Sequence, residues 1–351
     1  MSKFNRFDVA ETLGITPICA VSDGEIWERL VTPMTKGLTG PIVRVDPPVL
    51  VETTAGAFPG DEVSNLNDHR LYGGKAGFVR NRYIRTFHKT LHGAFIVKRD
   101  GVKIEAFCWS GDVEHGKGEL ILKLGMRDRR FDGTPRANDS ALLDYGYDDP
   151  VMHKPISPDL KAVELSVYAF MPGSRVADVT GEEEFDRFIK NPFSFLDRPE
   201  LFLAYFKRAW KTKRGPGQHA APITDVSKLA LPEFERIAKA RGYDVIEGAP
   251  SHYHVARWFQ TAGYVFTVPA QAATFAAFTA GLEKIRHDGM PLTRTQQSWV
   301  CVVQSLRPVQ LIPEGLYWGG PLWPQTNMDN ACLWMHKAIS AKAKDLLTKT
   351  A

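Results

Sequence analysis

The sequence predicts an α+β protein in which a β-rich N-terminal half precedes a mainly helical C-terminal half containing one short βαβ unit. Three observations lead to this expectation. Pro17, Pro33, Pro41, Pro47, Pro48 and Pro59 interrupt every long helix that residues 1–75 could form. Apolar runs on either side of Arg99, Asp100 and Gly101 have the pattern of a β-hairpin. From residue 180 onward the texture changes to amphipathic segments with helix-start and helix-stop residues. A chain of 351 residues exceeds what one core comfortably organises, so two domains are expected, 1–175 and 176–351.

The elements follow in order. Residues 1–75 should form short strands and loops. Ala94–Val97 and Val102–Phe107 make the hairpin, and Glu119–Leu124 adds a third strand. Arg127–Pro158 is polar and rich in Asp, Gly and Pro, so it reads as a long connection before a strand over Leu160–Met171. Thr180 and Glu183 suggest a capping box ahead of Phe185 and Phe188. Asp197, Pro199 and Glu200 open a helix to about Lys213, which Gly215-Pro216-Gly217 ends. On it Phe202, Phe206, Ala209 and Trp210 recur at helical spacing, leaving Lys207, Lys211 and Arg214 on another face. A helix at Pro232–Arg241 stops at Gly242, a strand covers Tyr243–Glu247, a helix covers Ser251–Ala262 and stops at Gly263, and a strand covers Tyr264–Val268. Strand, helix and strand with short links suggest a parallel βαβ unit. Helices are expected at 269–287, at 293–306 with Thr293 and Gln296 as capping box, and at 328–348, around a Pro-, Gly- and Trp-rich loop at 307–327.

Composition excludes several classes. With 44% hydrophobic and 24% charged residues the chain is globular in character. No apolar run approaches the roughly 20 residues a membrane helix needs, and the N-terminus lacks a signal-peptide core, so a soluble, cytoplasmic protein without membrane contact is expected. Cys19, Cys108, Cys301 and Cys332 form no C-x-x-C pair, which argues against a zinc ribbon or disulfide framework. No Walker loop, G-x-S-x-G elbow, H-E-x-x-H or G-x-G-x-x-G occurs, so the common hydrolase, NTPase and dehydrogenase signatures are unsupported; no metal site is expected, and the sequence leaves the cofactor open.

Charge is segregated. Residues 45–69 contain five acids and no Lys or Arg, whereas Arg70–Arg99 holds eight basic residues and no acid. Leu201–Thr224 holds five more basic residues without an acid; taking these thirteen from the net +4 leaves the remainder at −9. Two cationic segments on an acidic background suit a polyanion, because neutralising phosphates releases counterions. Aromatic residues interleave with the basic ones, as stacking on unpaired bases requires. The expected nucleic-acid contacts, to DNA or RNA, are Arg80, Arg82, Tyr83, Arg85 and Lys89 in the first segment, and Lys207, Trp210, Lys211, Lys213 and Arg214 in the second. The plainer alternative is that these charges are solvated on half-exposed elements.

Two other function classes stand beside this one. If the βαβ unit forms, Ser251, His252 and His254 lie where a strand ends and a helix begins, a position that favours an anion or phosphate and would serve a small-molecule enzyme. As metal ligands the histidines are less suited: at i and i+2 on a helix they diverge, and only extended backbone aligns them. Second, four of the eight tryptophans (Trp299, Trp318, Trp323, Trp334) fall with Tyr317 in segment 299–334. Such a cluster either plugs its own core or docks a protein partner or second copy, as in a self-assembling protein of a mobile element or virion. Lys98-Arg99-Asp100-Gly101 resembles the K-x-D-G element of nucleotidyltransferases such as polynucleotide ligases, but a hairpin turn accounts for it and the further lysines that chemistry needs are missing. Gly111–Gly116, G-D-V-E-H-G, likewise reads as a solvated hairpin loop.

Overall fold

A computed structural model describes residues 16–33, 49–53, 81–87, 93–99, 103–112, 117–128, 160–169, 182–212, 215–217, 226–324 and 333–350. The chain contains both helices and a mixed sheet. It divides into two compact units: Met1–Val176 with Ala220–Gly248 and Lys337–Ala351, and Ala177–His219 with Ala249–His336.

In the first unit the strands β1 (Val49–Thr53), β2 (Asn81–Phe87), β3 (Gly93–Arg99), β4 (Lys103–Asp112), β5 (Lys117–Asp128) and β6 (Ala162–Ala169) pair antiparallel in chain order. The expected hairpin is β3–β4, with Arg99↔Ile104 as its last described pair, and the last β4–β5 pair is Asp112↔Lys117; residues 113–116 of the G-D-V-E-H-G segment lie outside the described residues. Ile104, Ala106, Leu124 and Met126 are buried at alternate positions, the period of two that fixes register. The next strand, β7 (Val245–Gly248), pairs with β6 in parallel and is buried along its length, as a parallel strand covered on both faces must be.

The region expected to hold only strands and loops also contains helix. One α-helical turn, α1 (Asp23–Ile26), continues as a π-helical turn over Trp27–Val31. Burial of Ile26, Trp27, Leu30 and Val31 stabilises this short piece, which fits between Pro17 and Pro33. Helices α2 (Glu183–Lys190) and α3 (Pro199–Thr212) belong to the second unit, and α4 (Val226–Ala240) to the first. Helix α4 begins before Pro232 rather than at it. Pro232 faces solvent, while Leu231, Phe234, Ile237 and Ala238 bury the opposite face. Gly242, at φ +75°, ends the helix as expected.

Buried and part-buried polar bonds join distant segments of this unit. The Tyr243 hydroxyl donates to Asp128 at 2.7 Å and accepts from the Ile18 N–H at 3.1 Å. Asp244 accepts from the Lys161 N–H at 3.0 Å and from the Ser340 hydroxyl at 2.6 Å. Arg241 pairs with Glu25 at 2.6 Å, and Lys337 with Glu235.

The second unit is mostly helical: α2, α3, α5 (Tyr253–Thr261), α6 (Pro269–Leu282) and α7 (Arg294–Val303). Its core is aromatic. Phe188 stacks on Trp299 at 5.4 Å and 7°, and meets Phe195 and Phe202 edge-on. The capping box of α7 forms as expected, with Thr293 accepting from the Gln296 N–H and Gln296 accepting from the Thr293 N–H.

Other boundaries differ from expectation. Glu182 is the N-cap of α2, so Glu183 is its first residue and not the third of a capping box; Thr180 lies outside the described residues. Helix α6 stops at Leu282, and β9 (Arg286–His287) and β10 (Met290–Pro291) form a hairpin where helix was expected. Its turn, Asp288-Gly289, has φ of +51° and +75°, the pattern of a type I′ turn. Strand β8 (Val265–Phe266) pairs antiparallel with β11 (Met335–Ala338), at Met335↔Phe266 and His336↔Val265. The strand–helix–strand order over 243–268 is therefore present, but β7 and β8 are not a hydrogen-bonded pair. The helix expected at 328–348 is β11 followed by α8 (Ala341–Thr350), which Ser340 starts by accepting from the Ala343 N–H at 3.0 Å.

Candidate functional site

Of the first cationic segment, Arg82, Tyr83 and Arg85 lie on β2, with Arg82 opposite Glu52 and Arg85 opposite Val49 and Ile96 in the ladders. Arg80 and Lys89 lie outside the described residues, as do Lys213 and Arg214 of the second segment.

The second segment is clearer along α3. Burial of Phe202, Phe206 and Ala209 turns Lys207 and Lys211 outward, one turn apart on the same face, where both are exposed. The arginines nearby are committed elsewhere. Arg208 forks onto Glu182, with Nη2 at 2.8 Å from Oε1, and lies over the Phe185 ring at 4.1 Å. Arg198 bonds Glu184 at 2.8 Å, which together with the Tyr205 hydroxyl holds that carboxyl below its ordinary range, and covers Phe195 at 4.5 Å. Trp210 is half-buried between the exposed lysines in sequence. Its indole tilts on Phe206 at 5.4 Å, and its Nε1 donates to His287 Nε2 at 3.3 Å.

The histidine pair occupies the start of α5. The N-cap is His252 and not Ser251, whose carbonyl instead accepts from Trp323 Nε1 at 3.1 Å. The extended backbone of His252, φ −142° and ψ 161°, lies before the first helical turn, so its ring does not diverge from that of His254. The two imidazoles stack at 5.9 Å and 5°, and Phe193 stacks on His252 at 6.2 Å and 4°. Gly217 closes against His252: at φ +72° it has the conformation glycine favours, and a Cβ there would come within 2.4 Å of the imidazole. His254 Nδ1 and the Ser298 hydroxyl share a hydrogen bond of 2.9 Å. Burial, aided by the Arg294 charge, lowers the His254 pKa to about 4, so this imidazole is neutral near pH 7.

Comparison with protein-family models, with curated proteins and with solved structures finds no match. The chemistry of this chain must therefore be read from its own residues.

The Ser298–His254 bond has the donor types of a nucleophile and base, yet Ser298 is 1% exposed, which leaves its hydroxyl no approach to a substrate. Among the described residues no group of three or more His, Cys, Asp or Glu side chains could hold a metal ion. Phe193, Gly217, Arg294 and Ser298 complete the histidine stack, and His287 completes the α3 face. Sequence spacing could not pair any of these with their partners, since each comes from a distant segment. The tryptophan cluster is mostly core: Trp299, Trp323 and Trp334 are buried, Trp318 is half-buried, and only Tyr317 is exposed.

Proposed function

We propose that the protein binds nucleic acid, with the outer face of α3 as a phosphate contact. The observation that carries this reading is selective: Lys207 and Lys211 stay exposed and free of acidic partners among the described residues, while neighbouring Arg198 and Arg208 are neutralised by Glu184 and Glu182. Lysines held a turn apart beside an aromatic ring match what a nucleic-acid backbone and base require. Arg80, Arg82, Arg85 and Lys89 of the first segment, and Lys213 and Arg214 of the second, are further phosphate contacts in this reading. Tyr83 is its second stacking residue. A β-rich half up to about residue 175 and a mainly helical half beyond it accompany the proposal, as does a cytoplasmic location.

A titration with fluorescent oligonucleotides at several salt concentrations tests it. Log affinity should fall linearly with log salt, and the double substitution Lys207→Glu with Lys211→Glu should flatten the slope by about two, roughly one for each phosphate that is no longer neutralised. Absent or salt-insensitive binding sinks the reading.

A second reading, an anion site for a small-molecule enzyme at Ser251, His252 and His254, is favoured by the parallel stacking of the imidazoles at the start of α5. Under it, inorganic phosphate shifts the His252 and His254 ring resonances saturably, and chloride at equal ionic strength does not.

A further inference from the structure

The contact between α3 and the β9–β10 hairpin has a property that points to one form of nucleic acid. His287 Nε2 accepts the Trp210 indole N–H, so that nitrogen carries no proton. The same nitrogen lies 3.4 Å from Asp288 Oδ2 on the turn. These two partners make opposite demands. An unprotonated Nε2 can hold the indole and cannot bond the carboxylate; a protonated one donates to the carboxylate and cannot accept from the indole. Among the described residues Trp210 and Asp288 are the only groups bonded to or stacked on the His287 ring. The other charged groups on the hairpin and in the segment leading into it are accounted for: Arg286 donates to the Glu283 and Ile285 carbonyls, and Glu283 and Lys284 are exposed. From α3 the charges flanking Trp210 are Lys207 and Lys211.

We infer that the partner is single-stranded nucleic acid whose base stacks on Trp210, and that His287 latches this indole until it takes up a proton. The inference rests on the reading of α3 as a phosphate contact. Trp210 has Phe206 as its other ring neighbour, so swinging its N–H edge away from the hairpin frees an aromatic surface between two cations. That combination binds unpaired bases with little sequence preference; bases already stacked in a duplex cannot use it. His287 itself is 44% exposed, so solvent reaches the latch.

Two measurements on the full chain test this. In nitrogen–proton correlation spectra, the indole resonance assigned by Trp210→Phe should move between pH 8 and pH 6 with the same midpoint as the His287 ring, and should stay still in His287→Gln, which keeps an acceptor but does not titrate. In anisotropy titrations at constant salt, a single-stranded oligonucleotide should bind about tenfold more tightly at pH 6 than at pH 8, corresponding to one base stack, with the gain abolished in His287→Gln. An indole resonance that ignores His287 overturns the latch. A pH gain that persists in His287→Gln also overturns the latch, and duplex binding that matches single-strand binding overturns the partner assignment. Absence of oligonucleotide binding at both pH values, with the indole still tracking His287, overturns the nucleic-acid part while leaving the proton exchange standing.

Discussion

His254 shows how much one side chain can tie stability to pH. Its imidazole is neutral in the folded state because burial removes the water that would solvate the charge, and because Arg294 repels it. An unfolded histidine takes up its proton near 6.5 and the folded one near 4, so the unfolded state binds more protons throughout that interval. Stability is therefore complete above about pH 6.5, falls as pH drops through it, and stops falling below 4. At about 1.4 kcal/mol for each pKa unit, the loss is roughly 3 kcal/mol. Urea denaturation at pH 7 and at pH 4 should show it, and His254→Gln should remove most of this pH-dependence. A variant that loses stability on acidification as steeply as the parent would mean that His254 is not the group responsible. The neighbouring glycine belongs to the same packing, since Gly217 is the only residue type that fits both its backbone conformation and the approach of His252.

The helices and strands divide into those whose signals are local and those decided by distant partners. Thr293 and Gln296 sit three residues apart and satisfy each other, so their capping box is legible in the sequence alone. The β3–β4 hairpin is equally legible, because its turn and its apolar alternation lie within twenty residues. Helix α6 is the instructive failure. An alanine-rich run from Pro269 suggests a helix continuing to residue 287, but the Asp288-Gly289 turn imposes a hairpin whose first strand begins at Arg286. That dipeptide is a readable signal, since both of its positions accept positive φ. Strand β11 is not readable. Met335 and His336 become a strand because β8 pairs with them from some seventy residues away, and such pairing leaves no trace in the local pattern. The histidine stack escapes a linear reading for a related reason: helical periodicity places residues 252 and 254 apart, while the N-cap position of His252 brings their rings together.

At the scale of the molecule, a linear reading cannot show that a unit is assembled from separated segments. The first unit takes in 220–248 and 337–351 besides its N-terminal part. Those returning segments supply what the sheet needs to be complete. Strand β7 covers the edge of β6, Tyr243 satisfies buried Asp128 and the Ile18 N–H, and Asp244 accepts from the Lys161 N–H. A fragment ending at Val176 retains the six antiparallel strands but leaves β6 as an uncovered edge and buried Asp128 without the Tyr243 hydroxyl. An unmet buried polar group costs about 1–3 kcal/mol, and exposing the apolar surface buried under β7 and α4 adds to this, so the total approaches the stability of an ordinary domain. Open edges also recruit other strands, so such a fragment should associate. The expected result is that residues 1–176, produced alone, give no cooperative thermal transition by circular dichroism and elute as aggregates. Restoring residues 220–248 and 337–351 through short linkers should recover a sharp melt. A fragment 1–176 that melts cooperatively as a monomer would show that the returning segments decorate this unit and do not complete it.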